Sequence, residues 1–170
     1  MFGSGKSLRS KFYHCQTSHI LERYLQLLQI PMNLSFHFSP DFEFKRVTNT
    51  LAKLSWYKSQ GYNPKIPNTI TEKSSPGEIE KQINQEFTEE DYQQAADKIN
   101  TDFSTINNDL VQKLKNIFSK NIPETFLVCL TRYGVDGSYE LPNIIVLNIN
   151  NSPDFKTIVH EIIHLIIEEK

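Results

Sequence analysis

The stretch from Asn151 to Lys170 constrains the fold more than any other part of the chain. A helix that is apolar nearly all round has to be buried, and Phe155, Ile158, Val159, Ile162, Ile163, Ile166 and Ile167 cover most of this one. Asn151, Ser152 and Pro153 before them supply an N-cap and a first-turn proline. The pattern predicts a central helix with other elements packed around it. His160, Glu161 and His164 interrupt the apolar surface. Unpaired ionisable groups are costly in such a setting, so their presence asks for a chemical reason.

The remaining sequence has to build the core that buries this helix. With 170 residues, 38% hydrophobic and 22% charged, the chain fits one ordinary core and a single domain over 1–170. Ile20, Leu21, Tyr24, Leu25 and Leu28 predict a helix over 17–30, stopped by Pro31. Met32, Leu34, Phe36 and Phe38 alternate with polar residues, the period of a strand with one face in the core. Val47, Leu51 and Leu54 suggest a second helix ending near Tyr57. Residues 59–87 are polar and punctuated by Gly61, Pro64, Pro67, Pro76 and Gly77, which predicts a long loop or lid within the domain.

Thr88, followed by Glu89, Glu90 and Asp91, opens a long helical pattern that runs to about Lys120. After Pro123, the branched and aromatic runs 126–132 and 143–149 are joined by a turn-prone stretch with Gly134, Asp136, Gly137 and Pro142, which predicts a β-hairpin leading into the last helix. The expected class is α+β, with helices packed on a small mixed or antiparallel sheet.

Charge and cysteine usage narrow the partners. A formal charge of −2 with interspersed signs gives no electrostatic footprint for nucleic acid or an anionic membrane, and no segment reaches the roughly 20 apolar residues of a membrane span. Lys6, Arg9 and Lys11 precede an apolar stretch broken by His19, Glu22 and Arg23, which does not read as a signal peptide. Cys15 and Cys129 are too few for a disulfide scaffold, so a reducing, cytoplasmic setting is expected. Gly3–Ser7 lacks the earlier glycine and preceding strand of a phosphate-binding loop. His14, His19 and His37 have no partner at ligand spacing.

His160 and His164 do have that spacing. Residues four apart lie on one helix face with Cβ atoms about 6 Å apart, within reach of one metal ion, while Glu161 is rotated by about 100° and flanks it. Neutral imidazoles suit zinc, which acidifies a bound water, and an adjacent carboxylate suits the removal of its proton. The run Val159-His160-Glu161-Ile162-Ile163-His164 resembles the HExxH motif of zincin metallopeptidases. The resemblance covers the last helix and the strands before it. It implies a zincin-like α+β core, zinc held by His160 and His164, Glu161 as catalytic base, and a peptide or protein substrate lying antiparallel to an edge strand.

After His164 come Leu165, Ile166, Ile167, Glu168 and Glu169, with neither the glycine nor the third histidine of the metzincin continuation. A gluzincin-like arrangement, with a glutamate ligand from a later helix, is nearer, and the compact bacterial cytoplasmic HExxH peptidases are similar. Catalytic zinc usually takes three protein ligands. Glu168 stands a rise of about 12 Å beyond His160, too far along the helix to share an ion with it. Asp136 and Glu140 are turn acids, ordinarily solvated. The expectation is therefore a chain truncated before its third ligand. The alternative is a non-catalytic zincin-like binding or regulatory module. Tyr133 and Tyr139, before the helix, are candidates for packing or for donating to an oxyanion.

Overall fold

The computed structural model describes residues 32–118, 122–151 and 155–168. The expected helix over 17–30, the Gly3–Ser7 segment, His14, Cys15, His19 and the capping pair Ser152 and Pro153 lie outside the described residues.

The alternation after Met32 becomes β1 (Asn33–His37), with Asn33, Ser35 and His37 exposed and Leu34 and Phe36 against the main core. Ser39 then caps α1 (Pro40–Ala52): its hydroxyl accepts the Phe42 N–H at 3.1 Å, and Pro40 fills the first turn, where its missing N–H costs nothing. A short helix α2 (Leu54–Ser59) follows.

The loop expected over 59–87 holds only in its first part. Pro76–Glu86 is a helix, α3, closed by a capping box in which the Ser75 N–H donates to the Glu78 carboxylate at 2.7 Å. Only Ile79 and Ile83 of this helix are buried, and two apolar residues four apart are too sparse to register as periodicity. The segment before it is pinned by two backbone bonds of 2.7 Å between Lys65 and Gly134. Gly134 has φ +85°, and a Cβ there would meet the Arg46 guanidinium at 2.5 Å, so glycine is required twice over.

The long helix α4 (Glu89–Phe118) follows the expected stripe through Tyr92, Ala96, Ile99 and Phe103 and again at Leu114, but buries Val111 while Ile117, expected on the same stripe, is exposed. The strands that follow are β2 (Thr125–Thr131), β3 (Gly137–Glu140) and β4 (Ile144–Asn148). The sheet is mixed, in the order β1-β2-β4-β3. Here the structure corrects the expected hairpin: β2 and β4 are parallel neighbours, and the antiparallel partner of β4 is β3, which lies inside the stretch read as a turn. The physical reason is visible in the burial. Val128 to Thr131 and Ile145 to Asn148 are buried without alternation, as interior strands covered on both faces are.

The last helix, α5 (Phe155–Glu168), is less enclosed than its composition predicts. Ile158, Ile162, Leu165 and Ile166 are buried, whereas Ile167 is 50% exposed. Its buried face joins α4, β2 and β4 in the main core. A smaller cluster of Val47, Ile70, Ile79, Ile83 and Tyr133 holds α1 and α3. Near it, the fully buried Glu43 accepts bonds from the Tyr92 hydroxyl, the Thr131 hydroxyl and, at 2.7 Å, the Arg132 N–H. These donors offset part of the cost of burying a carboxylate, and burial still pushes its pKa up. Among the described residues, no helix is long and apolar enough to cross a membrane.

Candidate active site

The same helical period that buries Ile158, Ile162 and Leu165 turns residues 160 and 164 to the opposite side of α5. His160 is exposed and His164 half-buried. Their rings meet edge to face with centroids 4.7 Å apart, and their Nε2 atoms converge to 3.1 Å. Two nitrogens bound to one tetrahedral zinc at about 2.0–2.1 Å each would stand little farther apart, so the separation of the pair is close to that of two ligands on one ion.

Glu161 lies on the flank of the helix that faces the sheet and is 7% exposed. Its carboxylate tucks against β3, where a Cβ added to Gly137 would stand 2.8 Å from Oε1. Burial raises its pKa, and the two neighbouring histidines pull it back down. The result is a carboxylate held beside the imidazole pair and largely screened from water, which suits proton transfer.

Strand β3 contributes a second contact. The Tyr139 ring stacks on His164, centroids 5.0 Å apart and planes 8° from parallel. Its hydroxyl donates to Oε1 of Glu168, which raises the phenol pKa. That same oxygen lies 4.0 Å from His164 Nδ1.

On the other side of His160, a groove of about 430 Å³ runs between α4 and α5. Ile106 and Leu110 of α4 and Val159 and Ile163 of α5 give it apolar walls, and Lys113 and Lys156 stand at its rim. His160 lines it as well, so groove and imidazole pair are continuous.

All three motif residues are thus brought together, but the other candidates are not. Among the described residues, no group of three His, Cys, Asp or Glu side chains could hold a metal ion, so Asp136, Glu140 and Glu168 do not complete the site. The Tyr133 hydroxyl donates to Glu86 in the smaller cluster, and the Tyr139 hydroxyl is engaged by Glu168, so neither serves as a free donor to an oxyanion. Gly137 passed as a turn residue in the sequence. Glu168, by contrast, was discoverable from its spacing of four to His164. No protein-family model, curated protein or solved structure matches the chain.

Proposed function

We propose that the chain is a zinc-dependent metallopeptidase of the HExxH zincin type, with His160 and His164 as metal ligands and Glu161 as general base. The observation that carries this reading is the convergence of the two Nε2 atoms to 3.1 Å beside a buried carboxylate. A zinc ion held there would supply Lewis acidity toward a peptide carbonyl and toward water. The third ligand comes from outside the described residues or from solvent.

The chain's own groups have definite tasks in this scheme. Glu161 takes a proton from the attacking water and returns it to the leaving amine. β3 is the outer strand of the sheet beside α5, so an extended substrate adds to its free side by main-chain bonds. The groove between α4 and α5 takes apolar side chains of that substrate. Cys129, a buried free thiol, suits the cytoplasmic setting of the proposal.

The test is metal content and turnover together. Purified without chelators, the chain is expected to take up about one zinc, and His160→Ala and His164→Ala are each expected to lose it. Full zinc retention in both variants would remove the metal reading. A second reading is a non-catalytic module that keeps the same scaffold and imidazole pair. Zinc uptake with no cleavage of any member of a diverse peptide pool would select it.

A further inference from the structure

Two imidazoles whose Nε2 atoms lie 3.1 Å apart face a problem of proton placement. A neutral imidazole carries one N–H and one lone pair. Both rings hold a single ion through Nε2 only when both carry their proton on Nδ1. Left to themselves, the rings would share an Nε2–H···Nε2 bond, and either could be the donor. Something outside the pair has to break that symmetry.

We propose that Glu168 and Tyr139 break it, fixing His164 with its proton on Nδ1 and its Nε2 lone pair toward His160. They are then the positioning residues of the site. The geometry stands by itself, and only its purpose rests on the metal reading above. Two contacts reach His164, and a third links the residues that make them. The Tyr139 ring lies 8° from parallel with the imidazole and sets its plane. The Tyr139 hydroxyl donates to Oε1 of Glu168 and aims that carboxylate. Oε1 then stands 4.0 Å from Nδ1, beyond a direct hydrogen bond but close enough to favour an N–H over a lone pair on that nitrogen. Helical spacing brings Glu168 to this edge of the ring, and β3 brings the tyrosine.

The consequence is an ordered pair. In the metal-free chain His164 accepts through Nε2 and His160 donates, so only the exposed His160 has to change tautomer when an ion arrives. A carboxylate behind a ligating histidine also holds the ring in place, and loss of such a partner typically weakens metal binding by about 10–100-fold.

Nitrogen-15 spectra of the metal-free chain in mildly alkaline buffer read both tautomers directly, and chelator competition reads zinc affinity. The expected result is Nδ1–H on His164 and Nε2–H on His160. In Glu168→Ala, His164 should lose its preference and zinc should bind about 10–100-fold more weakly. Glu168→Gln keeps the shape but loses the charge that acts across 4.0 Å, so it should recover only part of both, and Tyr139→Phe, which keeps the stack, should also fall between. An Nε2–H tautomer on His164 in the unmodified chain, or a Glu168→Ala variant with unchanged tautomer and zinc affinity, would overturn the proposal. A fixed Nδ1–H on His164 in a chain that binds no zinc would sustain it and sink the metal reading instead.

Discussion

A methyl group on the Cα of Gly137 would lie 2.8 Å from Oε1 of Glu161 and 3.1 Å from Cγ2 of Thr157, so the carboxylate fills the space that any other residue at the start of β3 would occupy. The edge strand and the candidate base are fitted to each other. Gly137→Ala should displace the end of a flexible side chain more than the backbone. Unfolding stability is expected to fall by only about 1 kcal/mol, while kcat/KM falls by about 10-fold or more through misplacement of the base. Unchanged kcat/KM alongside the native fold would show that this contact does not position Glu161 for catalysis.

Glu161→Gln tests the base itself. The amide keeps the shape of the side chain, so zinc should remain bound while turnover drops by roughly 100-fold or more. Because burial already disfavours the charged form, a neutral amide should leave the melting temperature unchanged or slightly higher. Calorimetry and peptide cleavage on the same preparation check both halves. A variant that loses zinc and fold together would mark Glu161 as structural.

Glu43 offers a prediction away from the site. Its folded pKa lies above the ordinary carboxylate value, so its contribution to stability is full in acid, below the unfolded pKa, and is lost as pH rises through the folded pKa. Glu43→Gln does not titrate and should therefore gain on the parent chain between about pH 4 and neutrality. Glu43→Ala leaves the Tyr92 and Thr131 hydroxyls and the Arg132 N–H without this acceptor, at a cost of about 3 kcal/mol or more. Urea denaturation at two pH values separates the variants, and a parallel pH response of Glu43→Gln and parent would contradict the assignment.

The groove beside His160 makes a claim about selectivity. Leu110→Trp should fill it from the α4 side, lowering kcat/KM for peptides with phenylalanine or leucine beside the cleaved bond by about 10-fold relative to alanine peptides. Equal losses on both substrate sets would mean that the groove takes no side chain.

Legibility from sequence followed the density of the signal. The first half of the α4 stripe and the proximity of His160 to His164 are readable because each follows from a local helical spacing. Helix α3 is not, since its capping box at Ser75 and Glu78 is masked by glycine and prolines and by a nearly polar surface. The pairing of β2 with β4 was hidden for a different reason: adjacency along the chain suggests a hairpin, and only burial on both faces reveals two interior strands. The Gly137–Glu161 contact joins residues that sequence spacing does not relate.

The parallel pairing of β1 with β2, Asn33 opposite Thr125 and His37 opposite Cys129, carries a consequence for how the molecule forms. Each of its ladder bonds closes a loop of about ninety residues, whose entropy must be lost before any bond repays it. The β3–β4 hairpin and α5, which together hold Gly137, Tyr139, His160, Glu161, His164 and Glu168, need no such closure among themselves. Folding rate should accordingly be governed by the arrival of β1, and substitutions in β1 should slow refolding while those in the hairpin and α5 chiefly speed unfolding.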